Sequence, residues 1–179
     1  VQVLAQLAQN RPADLDVTVL TPYPFQTYSG MVPGLVAGRY TGPECQIPLE
    51  PLFKAAGVRW VQGRVTALDV AAQTVQVAAA GGNKHAPEQL PYHRLSIDTG
   101  AIIDRNKLEA TMPGAAARAL IVRPIEAFAA LWPQVLELAQ KQSVSLAVIG
   151  AGAAGLELIF AAEQRLRDAC PAGASFTLI

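Results

Sequence analysis

Apolar residues in this sequence recur at two different spacings, and the switches between them mark out the elements. Val3, Leu4, Leu7 and Ala8 lie at helical intervals, which predicts a helix over 1–9. Residues 16–21, DVTVLT, are short and β-branched and predict a buried strand, ended by Pro22 and Pro24. Residues 27–40, TYSGMVPGLVAGRY, predict a loop with one turn of helix, of the kind that often faces a ligand. A helix is expected over 48–56, closed by Gly57. Strands are expected over 58–61, 65–70 and 74–78, the last two joined by a turn, followed by a loop over 81–91. Residues 95–97 read as a short strand ending at Thr99-Gly100. Residues 125–140 form a long amphipathic pattern with Phe128, Leu131, Val135 and Leu138 on one face, and Pro133 is expected to kink or break it. The chain then reads as a strand over 145–149, a Gly-rich turn over 150–155, a helix over 156–167 and a strand over 175–179. Alternating strands and helices predict an α/β fold.

Composition narrows the functions open to such a fold. Hydrophobic residues make up 51% of the 179 and the formal net charge is zero, which excludes a disordered chain. Charged residues are 16%, and no Lys/Arg cluster exists beyond Arg165 and Arg167, so no footprint for nucleic acid is present. Apolar stretches fall short of the ~18–20 residues a bilayer span needs. No charged segment followed by an apolar one opens the chain, so no secretory leader is expected. Cys45 and Cys170 belong to no CxxC pair, and His85 and His93 stand apart from other metal-ligating types. No metal site is expected, both histidines are expected at the surface or a strand edge, and both cysteines read as unpaired thiols in a reducing compartment. Trp60 and Trp132 are expected in the core.

The specific chemistry sits in SLAVIGAGAAGLELIFAAEQRLR, residues 145–167. Gly150, Gly152 and Gly155 form GxGxxG directly after an apolar strand and directly before a helix. In that context the first glycine permits the tight turn. The second lets a pyrophosphate approach the backbone, and the third lets helix and strand pack closely. The helix N-terminus supplies amide N–H groups and partial positive charge to the phosphates. An acidic residue that would hold the adenosine ribose belongs about 20 residues further on. NAD and NADP are therefore both open.

The remaining segments resemble a family. Gly155-Leu156-Glu157-Leu158 extends the turn to the GxGxxGxE form of the NAD(P)H domain of two-dinucleotide flavoproteins. YHRLSIDTGA, residues 92–101, resembles the YDxLIIATGS stretch that closes that superfamily's FAD domain, and Met112-Pro113-Gly114 resembles the xPG that follows. The segment VTVLTPYPFQTYSGMVPGLVAGRY resembles type II NADH dehydrogenases. It is closer still to the pyridine nucleotide-disulfide oxidoreductase homologues associated with selenide, water dikinase. The implied architecture is a Rossmann-like FAD/NAD(P)-binding fold with a parallel sheet and an antiparallel β-meander, incomplete at both ends. Residues 1–115 are expected to be part of an FAD domain without its first strand and GxGxxG, and 116–179 the start of an NAD(P)H domain. The chain is thus expected to be a window from a protein roughly twice as long.

The resemblance implies a flavoprotein oxidoreductase passing hydride from NAD(P)H to FAD and on to an acceptor such as a quinone. It implies that NAD(P)H is held by Gly150, Gly152, Gly155 and Glu157. FAD is implied to lie against Ser29, Gly30, Met31, Pro33, Thr99 and Gly100. No protein side chain is assigned as catalytic, because the redox chemistry belongs to the cofactor. Ser29-Gly30-Met31 stands where disulfide-reducing branches carry cysteine, and a hydroxyl cannot replace a thiolate in exchange. The implied location is cytoplasmic or peripheral to the inner membrane. Two alternatives remain: a simple NAD(P)-dependent dehydrogenase without flavin, and a non-catalytic nucleotide-binding module. Asp98 and Thr21, where relatives carry Ala and an acidic residue, motivate the second. Cys45 as a persulfide carrier is a further reading.

Overall fold

The computed structural model describes residues 1–80 and 87–179. In chain order the elements begin with α1 Gln2–Gln9, β1 Thr18–Thr21, β2 Phe25–Thr27, α2 Val32–Val36, β3 Gln46–Pro48 and α3 Glu50–Ala56. They continue with β4 Arg59–Asp69, β5 Thr74–Ala79, β6 Gln89–Pro91, α4 Arg105–Thr111 and α5 Ala115–Arg118. The last four are α6 Ile125–Lys141, β7 Val144–Val148, α7 Ala153–Ala169 and β8 Ala174–Leu178. Short 3-10 turns cover Ser29–Met31 and Pro43–Cys45. The residues group into two compact units, 1–26 with 47–98 and 27–46 with 99–179. His85 and most of the loop expected over 81–91 lie outside the described residues.

The first unit is a four-stranded mixed sheet in the order β1-β4-β5-β6. β1 runs parallel to β4, with Thr18 opposite Arg59 and Thr21 opposite Gln62. β4, β5 and β6 form an antiparallel meander, with a register shift in β4 between Val65 and Ala67. The two strands expected over 58–61 and 65–70 are therefore one. Gln62, Gly63 and Arg64 look like a break because they are polar or small, yet each pairs with a neighbouring strand. α1 packs on α3 through Leu4, Phe53 and Ala56, and the Phe53 ring lies 5.4 Å from that of Trp60. Trp60 is only half-buried. Gly57 ends α3 in the left-handed conformation, φ 61°, as its C-cap position predicts.

Two expectations in this unit fail. β6 falls where only loop was expected. Residues 95–97 form no strand, and Leu95 and Ile97 are exposed at 41% and 67%. An apolar run becomes a strand only when a neighbour pairs its backbone groups, and no such neighbour exists among the described residues. His93, just upstream, is exposed.

The second unit is built on a β7-α7-β8 crossover. β7 and β8 run parallel in register, from Val144 opposite Ala174 to Val148 opposite Leu178. α2 and α6 pack against α7, enclosing Val36, Phe128, Trp132, Ala162, Leu166 and Cys170. Of the kink or break expected at Pro133, the break does not occur, since α6 is uninterrupted across it. An internal proline costs about 3 kcal/mol. Burial of Ile125, Phe128 and Trp132, each contributing ~1.5–3 kcal/mol, outweighs it. The buried stripe is Ile125, Phe128, Trp132 and Ala139, whereas Leu131 and Leu138 are 39% and 46% exposed. α4 and α5 occupy residues to which the sequence pattern assigns no element. No helix among the described residues is long and apolar enough to cross a membrane.

Candidate functional site

The Gly-rich turn joins β7 to α7. Gly150 has φ +111°, a region closed to most side chains, and its N–H donates to the Ile179 carbonyl at 2.7 Å. This bond ties the turn to the end of the neighbouring strand. Gly152 is the N-cap, with φ −74° and ψ 178°, and its carbonyl accepts from Leu156 N–H at 3.0 Å. α7 therefore begins at Ala153, three residues earlier than expected, and its first turn includes Gly155. A Cβ on Gly155 would overlap the Gly150 carbonyl oxygen. The third glycine is thus required for the helix to close on the turn.

Gly152 differs from both. A Cβ there would meet no protein atom within 4 Å, and no side chain caps the first turn of α7. The turn presents uncapped helix N–H groups to open space beside a residue with no side chain. That arrangement is suited to an anion approaching along the helix axis.

Glu157 is the fifth residue of α7, beyond the first turn where a carboxylate gains most from the helix dipole. It lines a cleft of about 320 Å³ between α2 and α7, and Pro33 lines the same cleft from the other side. The structure thus brings together one residue expected at the nicotinamide and one expected at the flavin. Gly34 and Ala37 of the α2 segment and Phe160 of α7 complete its apolar wall. Arg39 and Gln164, whose side chains meet at 3.4 Å, also line it. The sequence pattern misses Arg39, Phe160 and Gln164. For Phe160 and Gln164 the signal is a second stripe on α7, Glu157-Phe160-Ala161-Gln164, at helical spacing; for Arg39 there is none.

Ser29 and Gly30 are exposed and Met31 is half-buried in the 3-10 turn that precedes α2. A Cβ on Gly30 would come within 3.2 Å of the Tyr28 ring, so this glycine makes room for a tyrosine of its own chain. Thr99 and Gly100 are exposed. Further along, the Glu109 carboxylate accepts from Gly114 N–H at 2.6 Å and Ala116 N–H at 2.9 Å, which fixes the Met112-Pro113-Gly114 turn. These two bonds, Gly114 first, hold its pKa below the usual carboxylate value.

Cys45 is 1% exposed, and burial, helped by the neighbouring Glu44 charge, pushes its thiol pKa up. A buried thiol held protonated is a poor nucleophile, which weighs against Cys45 as a persulfide carrier. Cys170 is also buried, its Sγ lying 3.1 Å from the Gly173 carbonyl and 3.3 Å from that of Gln142.

No protein-family profile matches the sequence. No curated protein matches it either. Solved structures do. NDH2 from Plasmodium falciparum, in complex with RYL-552, superposes with a TM-score of 0.69 at 17% identity, over 92% of this chain and 36% of that one. The water-forming NADH oxidase from Lactobacillus brevis, bound to NADH, gives 0.64 at 21% identity, over 99% and 44%. The sulfide:quinone oxidoreductase from Aquifex aeolicus gives 0.62 at 16% identity, over 98% and 40%. The chain spans about two fifths of the length of these proteins. At such identities the likeness is one of fold: this chain has the α/β, Rossmann-like architecture of these oxidoreductases, with parallel strands and an antiparallel meander.

Proposed function

We propose that this chain contributes the nicotinamide-nucleotide site of a flavin-dependent NAD(P)H oxidoreductase. The observation that carries the reading is the turn at Gly150–Gly155. Gly150 needs its positive φ and Gly155 has no room for a side chain, so both are explained by the turn's own backbone and packing. Gly152 is not: its φ and ψ suit any residue and its Cβ direction is empty. A glycine free of any internal requirement, beside uncapped helix N–H groups, fits a pyrophosphate lying against the backbone. The Lactobacillus brevis oxidase is bound to NADH in its structure, and Plasmodium falciparum NDH2 has also been solved in complex with NADH, which supports nicotinamide nucleotide as the ligand.

In this reading Gly150, Gly152 and Gly155 hold the pyrophosphate, and Glu157 faces the nicotinamide end from the cleft it shares with Pro33. Ser29, Gly30, Met31, Pro33, Thr99 and Gly100 contribute the FAD-facing surface. Residues 1–115 belong with the FAD domain and 116–179 with the NAD(P)H domain. FAD, when bound, supplies the chemistry that takes hydride from NAD(P)H and passes electrons to an acceptor such as a quinone. The chain's own tasks are to bind and orient the nucleotide and to exclude water from the cleft.

The test is NADH titration of the chain and of Gly152→Val, followed by calorimetry. The Cβ it adds meets no protein atom within 4 Å, and the substitution is expected to leave the circular dichroism spectrum unchanged while weakening NADH binding at least about tenfold, the loss of one charge-assisted contact or more. Absence of NADH binding by the parent chain, or equal binding by the folded variant, overturns the proposal.

A further inference from the structure

The cleft between α2 and α7 is not uniform along its length. Its inner end carries Glu157, which the nucleotide reading uses. Its outer end carries groups that reading leaves idle. Phe160 is 64% exposed in the cleft wall, a large apolar ring held in water by the helix that bears it. Gly34 and Ala37 line the cleft from the α2 segment. Gly34 itself is fixed by packing, since a Cβ there would lie 2.5 Å from the Tyr40 ring.

One guanidinium group, that of Arg39, lines this slot, and a second lies over Gly38, next to it in sequence. Arg39 lines the cleft and meets only the neutral amide oxygen of Gln164, at the long distance of 3.4 Å. The Arg165 guanidinium lies over Gly38, within 3.0–3.1 Å of where a Cβ would stand. Among the described residues neither arginine is within ion-pair distance of a carboxylate; the ion pairs formed there are Lys54–Glu50 and Arg167–Glu163. Arg39, held at Gln164, is thus placed about one helical turn beyond the exposed Phe160 ring, away from Glu157. Glu157 and Gln164 are seven residues apart on α7, about 10 Å along the axis.

We infer that the outer end of this cleft binds a small planar aromatic carboxylate. Its ring stacks on Phe160 beside Ala37, and its carboxylate is taken by Arg39, with Arg165 adding charge. A volume of about 320 Å³ lies at the small end of ligand pockets, which suits one fused-ring system and little more. Charge decides the ligand's sign and its orientation. Guanidinium pairs a carboxylate bidentately, whereas Glu157 repels an anion from the inner end. The inference does not rest on nucleotide or flavin binding.

The test uses 2-naphthoate as the probe, with NMR of the isotope-labelled chain. Saturable shifts confined to amides of residues 32–40 and 156–165 are expected. Arg39→Gln and Phe160→Ala are each expected to weaken binding about tenfold. Both residues are exposed, so the variants keep the parent's spectrum elsewhere. The neutral analogue 2-naphthamide is expected to bind about tenfold more weakly than 2-naphthoate. Absence of saturable binding at millimolar probe, unchanged affinity in either variant, or equal affinity for the neutral analogue overturns the inference. Gly152→Val, expected to weaken nucleotide binding, is expected to leave 2-naphthoate binding in place, so failure of one reading is distinguishable from failure of the other.

Discussion

Three glycines at one turn obey three different constraints, and substitutions separate them. Gly155→Ala sets a methyl group against the Gly150 carbonyl oxygen, a backbone atom that cannot rotate away. Overpacking of this kind costs about 1–3 kcal/mol, so the thermal midpoint is expected to fall by several degrees. Gly152→Val sets its Cβ in open space but puts a poorer residue at the N-cap, so it is expected to cost about 0.5–1 kcal/mol, less than Gly155→Ala. Urea denaturation of both variants checks the contrast; similar losses would show that the turn tolerates neither for the same steric reason. The cysteines give a second residue-scale prediction. Cys45 and Cys170 are 1% and 4% exposed, so neither is expected to react with a thiol reagent until the chain unfolds. Labelling in native buffer, counted by mass spectrometry, checks this; rapid modification of Cys45 would restore it as a redox candidate.

At the scale of elements, the α4–α5 hairpin is held by side chains from one helix. Glu109 accepts from Gly114 and Ala116 N–H, while Arg105 donates to the Ala116 carbonyl at 3.0 Å. The carboxylate pKa is lower in the folded chain than in the unfolded one. Its contribution is therefore complete above the unfolded value of about 4.3 and is lost as pH falls through the folded pKa. Glu109→Gln is expected to lower the thermal midpoint at neutral pH, and the gap from the parent is expected to close in acid. A gap independent of pH would mean that the charge plays no part. The same hairpin shows why some elements were illegible in the sequence. α4 and α5 are too short to display a hydrophobic period, and they exist because Asp104 caps α4 and Glu109 caps the turn. β7, α7 and β8 were legible because their apolar spacing and their glycines agree. The stripe on α6 was misplaced because Leu131 and Leu138 share its apolar face, and only packing against α7 decides which side turns inward. Of the candidate site, the glycine turn could be read from spacing alone. The cleft could not, because Arg39 and Phe160 are brought together by the docking of α2 on α7, which no local pattern encodes.

For the whole molecule, the chain visits its second unit twice, at 27–46 and again from 99. The sequence contains two tryptophans, and the units hold one each: Trp60 in the first and Trp132 in the second. Each indole reports on its own unit, with Trp60 half-buried against Phe53 and Trp132 buried against Phe128. Chains with more than one compact unit commonly depart from a single cooperative transition. Trp60→Phe and Trp132→Phe each leave one reporter, and fluorescence-detected urea unfolding then follows the units separately. Adding Gly155→Ala to both backgrounds perturbs a turn that lies within the second unit. The Trp132 transition is expected to move to lower urea by more than the Trp60 transition does. Equal displacement of the two curves would show that the units unfold as one, and that the strain at a single glycine is felt by a sheet with which it shares no element.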